Sequence, residues 1–171
     1  MRRLLLLRHA KSSWDDPTLD DFDRPLAPRG QRAAPVMGNF MRRKKLVPDL
    51  VLCSSAVRAR QTWEAVSEKL ASQGEVRQLR SLYLATPSRF LQTLRRAPSE
   101  AKTVLMIGHN PGMENFALRL CGSGPEADLD QMDAKFPTAA LAEISFDVED
   151  WTEVREGDGV LVRFVRPKDL A

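Results

Sequence analysis

The sequence predicts an α/β fold: a three-layer sandwich in which a mostly parallel central sheet carries helices on both faces. Three observations lead there. The apolar runs at 4–7, 49–53 and 103–107 are short and continuous rather than alternating, the pattern of strands buried on both faces. Segments with helical spacing stand between them, so strand and helix alternate along the chain. The length, 171 residues, suits one domain with a real core, and 43% hydrophobic with 29% charged residues is an ordinary globular composition.

Each element follows in order. Leu4 to Leu7 forms the first buried strand. After an acidic loop, Ala27 to Lys45 reads as a helix that Pro35 should weaken or bend, its basic end Arg42-Arg43-Lys44-Lys45 solvated and favourably placed against the helix dipole. Asp49 to Cys53 is the second strand. Ser54 and Ser55 are then placed to cap a helix with Ala59, Trp63, Val66 and Leu70 facing inward. A weaker strand is expected around Val76 to Leu82, and a helix from Pro87 with Phe90, Leu91 and Leu94 on one face. Thr103 to Ile107 is the clearest strand. The helix after it turns Met113, Phe116, Ala117 and Leu120 inward and stops at Gly122. Residues 123–137 read as a loop rich in Gly, Pro and Asp. Two strands close the chain, roughly Ala140–Val148 and Val160–Val165, able to pair antiparallel at one side. No repeat, low-complexity segment or linker interrupts this, so residues 1–171 are expected to form a single domain.

Composition excludes several classes. A net charge of +3 is too small to predict a nucleic-acid partner, although basic residues gathered at one site can still attract an anion. The apolar run near the start is four residues long, short of a signal peptide's ~7–15, and nothing approaches the ~20 of a membrane span. Cys53 and Cys121 make no disulfide framework and lack metal-ligand spacing. A cytoplasmic protein is expected, without a membrane partner and by default a monomer.

Ligands of such sheets bind beyond the carboxyl ends of the strands. After the first run comes Arg8-His9-Ala10-Lys11, after the second Ser54-Ser55-Ala56-Val57-Arg58, and after the third Gly108-His109-Asn110-Pro111-Gly112. Both histidines of the chain thus stand at strand ends. Their neighbours are arginine, lysine and asparagine, which would repel a cation, and a zinc site wants further carboxylate or thiolate ligands. No metal and no organic cofactor is expected. A phosphoryl group suits these residues better: Arg8 and Arg58 present forked donors, and His109 can add another. His9 as a neutral imidazole is a competent nucleophile, provided one ring nitrogen is held by the protein and the other is free. Lys11, Arg24 and Asn110 are further candidates to contact the substrate.

The strings Leu7-Arg8-His9-Ala10-Lys11-Ser12-Ser13-Trp14, Asp23-Arg24-Pro25-Leu26, Arg58-Ala59-Arg60-Gln61-Thr62, Gly108-His109-Asn110-Pro111-Gly112 and Pro137-Thr138-Ala139-Ala140 resemble the histidine phosphatase, or phosphoglycerate mutase-like, superfamily. They look most like its SixA-type phosphohistidine phosphatase branch. The resemblance spans Leu4 to about Pro167. It implies a metal-independent phosphatase in which His9 is phosphorylated and water then hydrolyses the intermediate, with Arg8, Arg58 and His109 as the phosphate pocket.

Two departures shape the substrate expectation. Ala10 stands where most members carry Gly, as SixA-type sequences permit. The stretch Ser81-Leu82-Tyr83-Leu84-Ala85-Thr86 has no Asp or Glu where larger relatives carry the acid that protonates a leaving oxygen. An alkoxide should then leave slowly, whereas imidazole can carry its own proton and leave neutral. Phosphohistidine of a signalling protein, such as a histidine phosphotransfer domain, is therefore the expected substrate. The rivals are a phosphatase of small phosphomonoesters or nucleotides, and a non-catalytic phosphate- or phosphoprotein-binding module. The acidic loop Asp15, Asp16, Asp20, Asp21, Asp23 reads mainly as solvated, but it can supply a carboxylate, and Asp23 can instead fix Arg24. Trp14 either meets a partner or anchors its own loop.

Overall fold

A computed structural model describes residues 1–71 and 74–170. One seven-stranded sheet organises them, in the order β3-β2-β4-β1-β6-β7-β5. Strands β1 (Arg2–Arg8), β2 (Leu50–Ser54), β3 (Glu75–Leu79) and β4 (Thr103–Gly108) are mutually parallel where they pair. Strand β6 (Leu141–Phe146) lies antiparallel to β1 on one side and to β7 (Gly159–Val165) on the other. The short β5 (Cys121–Ser123) closes that edge parallel to β7.

The continuous apolar runs serve both faces. Leu4 and Leu6 of β1 join one core cluster, Leu5 and Leu7 the opposite one, and all four are fully buried. The same alternation divides Val104 and Met106 from Leu105 and Ile107 on β4. Helices α1 (Pro28–Arg43) and α2 (Val57–Ser67) cover the second face through Met37, Met41, Ala59 and Trp63. Helices α3 (Pro87–Arg95), α4 (Gly112–Leu120) and α5 (Glu126–Ala134) cover the first through Phe90, Leu94, Met113, Phe116 and Met132. The expected three-layer architecture is the observed one.

Several boundaries differ. Pro35 lies inside α1 without ending it, and the exposed basic residues 42–45 stand at the end of that helix as expected. β3 stops at Leu79 and a 3-10 turn, Arg80–Leu82, takes over. Ser54 and Ser55 do not cap α2: Ser54 is the last residue of β2, and Ala56 occupies the N-cap without a side-chain bond. Residues 123–137 are not simply a loop, because α5 begins after Pro125 with Glu126 and Asp128 in its first turn, where the helix dipole favours carboxylates. Its one fully buried residue is Met132, too little to mark a face in the sequence. β5 was not foreseen either; α4 ends at Leu120 and the chain turns directly into that edge strand.

Candidate active site

Three neighbouring parallel strands, β1, β4 and β2, end side by side, and the candidate residues stand on their carboxyl ends. Arg8 pairs in register with Gly108, and the His9 N–H continues the ladder to the Gly108 carbonyl at 3.1 Å. This brings the rings of His9 and His109 to 5.1 Å between centroids. Arg58 arrives from the first turn of α2, directly beyond β2. With Lys11, Arg24, Asn110 and Trp14, these residues line a cavity of about 210 Å³. The sequence candidates are thus brought together, including the three contact candidates.

Each ring has a defined orientation. His9 Nδ1 lies 2.7 Å from the Ala10 carbonyl oxygen, a pure acceptor, so Nδ1 carries the proton and donates it. Nε2 keeps its lone pair, the arrangement a nucleophile requires. His109 Nε2 lies 2.7 Å from the Ser54 hydroxyl, which also accepts the Ala56 N–H at 3.3 Å. With the Ser54 proton assigned to Nε2, the ring proton of His109 sits on Nδ1, which is buried without a protein partner and free to donate to an anion. Burial pushes both imidazoles down to about 3, reinforced by the charges of Arg58 and Arg8, so both are neutral at pH 7.

The arginines are fixed before any substrate arrives. Arg8 Nη1 donates to the Phe136 carbonyl at 3.0 Å, and Asn110 Nδ2 donates to the same oxygen at 3.0 Å. Arg58 is 3% exposed and donates through Nη1 and Nη2 to the carbonyl and carboxylate of Asp21, the latter at 3.0 Å. Among the described residues, Arg8 Nε, Arg58 Nε and His109 Nδ1 are buried without a hydrogen-bond partner. Buried nitrogens left unpaired in one pocket are costly in an apoprotein and become favourable when an anion accepts from them.

Several participants went unrecognised in the sequence. Thr62 takes the Ala10 N–H at 2.9 Å and donates to the Arg58 carbonyl at 2.7 Å. The Ala139 N–H donates to the carbonyls of both Arg8 and His9, at 3.0 and 3.1 Å, with Ala139 held at φ 62°, a strained region for a residue with a Cβ. The loop Pro137-Thr138-Ala139 therefore clamps the backbone on either side of the peptide that carries His9. Thr62 and Ala139 both lie in strings that had drawn notice, but nothing in their spacing announced these bonds.

The acidic loop contributes Asp21, and it is Asp21 rather than Asp23, the alternative raised from the sequence, that fixes Arg24. Asp21 Oδ1 lies 3.0 Å from Arg24 Nη2, while Oδ2 meets Arg58 and accepts from the Tyr83 hydroxyl. Arg24 is buried, donates to Ser12 Oγ at 2.9 Å, and lies 3.5 Å over the Trp14 ring. Desolvation pushes the Asp21 carboxyl up, but the hydrogen bonds from Tyr83 and Arg58 and the Arg58 charge outweigh it and hold it at about 2. Lys11 is exposed on the rim. Cys53 and Cys121 are free thiols, pushed up to about 12 and about 11 by burial.

Comparison with known proteins agrees with this geometry. Residues 4–83 match the family model of the histidine phosphatase superfamily, branch 1. An uncharacterised protein of Mycobacterium tuberculosis is 36% identical over 167 residues, covering 95% of this chain and 100% of that one. The structure designated phosphohistidine phosphatase SixA from Agrobacterium tumefaciens superposes with a TM-score of 0.81 at 30% identity, over 97% of this chain and 98% of that chain. Its counterpart from Nakamurella multipartitia gives 0.85 at 29% identity, over 97% and 96%. A phosphoglycerate mutase-like sheet, two histidines and two arginines at its strand ends, and relatives matched over nearly their whole length lead to one conclusion: this chain belongs to the histidine phosphatase superfamily.

Proposed function

We propose that this phosphatase removes the phosphoryl group from phosphohistidine of a signalling protein through a covalent phospho-His9 intermediate. His9 Nε2 attacks phosphorus in line. The phosphorus–nitrogen bond of the substrate breaks, and its electron pair stays on an imidazole whose other nitrogen already bears a proton, so that ring leaves neutral. Water then attacks phospho-His9, the new bond breaks back onto Nε2, and inorganic phosphate departs. Arg8, Arg58 and the His109 Nδ1 proton meet the charge on the equatorial oxygens, work that needs positioning and electrostatics more than covalent help. Lys11, Arg24 and Asn110 complete the pocket rim, and no metal takes part.

The observation that carries the choice of substrate is Asp21. Its carboxylate holds Arg58, an arginine of this pocket, and at about 2 it stays ionised, unable to protonate a leaving alkoxide. An imidazole leaving group does not need that proton. A protein substrate is supported by two exposed apolar side chains at the cavity mouth, Trp14 at 70% and Leu84 at 54%, the latter held at φ 51°.

A second reading has one observation behind it. Tyr83 stands in the stretch where the acid of larger relatives is expected, edge-on to His109 at 5.3 Å between centroids, and burial with its bond to Asp21 keeps its phenol protonated. It could serve as the acid for small phosphomonoesters. The test is hydrolysis of a phosphohistidine peptide and the matching phosphoserine peptide, in chelator, by wild type, His9→Ala and Tyr83→Phe. Fast phosphohistidine turnover that survives Tyr83→Phe and vanishes in His9→Ala supports the proposal. Comparable phosphoserine turnover that Tyr83→Phe abolishes would install the ester reading. Phosphate binding without turnover of either would leave the binding module.

A further inference from the structure

A second, larger depression of about 400 Å³ opens beside the active-site cavity, and Lys11 and Thr138 line both. Besides the Pro137-Thr138 loop before β6, its walls come from the loop after β1, the first turns of α1, the end of α5, and the chain around the 3-10 turn Pro167–Leu170 after β7. Each of these last four contributes a cation, respectively Lys11, Arg29, Lys135 and Lys168, all four exposed. None of the four side chains forms an ion pair or a hydrogen bond among the described residues. Arg166 is the exception on this wall, its Nη2 lying 2.8 Å from Asp169 Oδ1. Among the described residues no Asp or Glu lines the groove; between the charges its apolar surface is Ala33, Ala134, Pro137 and Pro167.

We propose that this groove docks an acidic polypeptide segment flanking the phosphorylated side chain of the substrate protein, an inference that rests on the phosphohistidine reading above. A compact phosphate calls for convergent, bidentate donors, as the buried arginines around His9 supply. Here the cations are exposed, sit on four different elements and border an open trough with apolar stretches between them. That arrangement suits carboxylates spaced along an extended chain, lying on alanine and proline while its acids meet the rims. Continuity through Lys11 and Thr138 sets the register: a segment in the groove leads a neighbouring phosphorylated residue to His9. Charges of this kind raise the encounter rate and select partners, and salt screens them.

The test uses the full chain, wild type and Lys135→Glu/Lys168→Glu, neither residue belonging to the cavity around His9. Binding of a fluorescein-labelled Asp/Glu peptide without phosphate is followed by anisotropy, beside turnover of free phosphohistidine. Wild type should bind this peptide, bind a Ser/Gly peptide of equal length far less, and release the acidic one as salt rises. The double variant should bind at least about tenfold more weakly while its turnover of free phosphohistidine stays within about twofold of wild type. Arg29→Glu, on a different element, should repeat the loss, which guards against a folding defect confined to the first variant. Equal binding by wild type and the folded variants would overturn the docking assignment, and so would a parallel loss of free phosphohistidine turnover. Acidic-peptide binding by a wild type that leaves phosphohistidine intact would overturn the proposed substrate while upholding the groove's preference for acidic chains.

Discussion

The two halves of the sheet do different work. In the parallel half, β3-β2-β4-β1, the strands end together and present His9, Ser54 and His109 on adjacent carboxyl ends. In the other half, β6 runs antiparallel to both β1 and β7 and so separates the carboxyl ends of β7 and the short parallel β5 from those of β1, β4 and β2. That half buries Ile144, Phe146, Leu161 and Phe164 instead, and reaches the site through the loop leading into β6. The candidate site residues are concentrated at the adjoining carboxyl ends of β2, β4 and β1, and the other half supplies core.

This contrast can be broken at several strengths. The largest effect is expected from His9→Ala, which should bring turnover below about one ten-thousandth of wild type, since removing a nucleophile removes the covalent path. Rapid-quench labelling should find phosphate on wild type and none on the variant. Arg58→Ala should lower kcat on the order of 100- to 1000-fold with a smaller change in KM, and lysine should not restore it, because the paired donors are lost.

In the other half, Leu161→Ala should cost about 2–5 kcal/mol in a denaturation experiment, from a side chain 1% exposed. Its kcat per folded molecule should not change, and a fall in kcat comparable to that of Arg58→Ala would break the division of labour. The remaining effect is on pH. Both histidines lie at about 3 in the folded chain against an ordinary 6.5, so between those values the unfolded chain binds protons that the folded chain refuses. Stability should therefore fall as pH drops through that window, by up to about 1.4 kcal/mol per unit for each histidine. In NMR, neither ring of the substrate-free protein should titrate between pH 5 and 8.

The same division governs what could be read in advance. Buried parallel strands advertise themselves as unbroken apolar runs, and the residues just after them are forced to the ligand side of the sheet. Arg8, His9, Arg58 and His109 were legible for that reason. α5 offers a single buried anchor in nine residues, and β5 has three residues of which two are exposed, so neither leaves a periodic trace. The contacts of Asp21 were hidden differently. Four other aspartates stand between positions 15 and 23, and which one meets Arg24, Arg58 and Tyr83 depends on the path of a loop closed by tertiary contacts. Ser54 looked like a cap because serine before a helix usually is one; it bonds His109 because β2 runs one residue further.

Thr62 measures how finely this site is surveyed. One hydroxyl holds the amide of Ala10, next to the proposed nucleophile His9, and the carbonyl of Arg58, the arginine proposed to bind the phosphoryl group. Both are thereby triangulated from a single datum. Were they located independently, through two strands and a helix, each small error along the way would accumulate between them. Referred to one oxygen, the discrepancy between His9 and Arg58 is limited to the play in two short bonds.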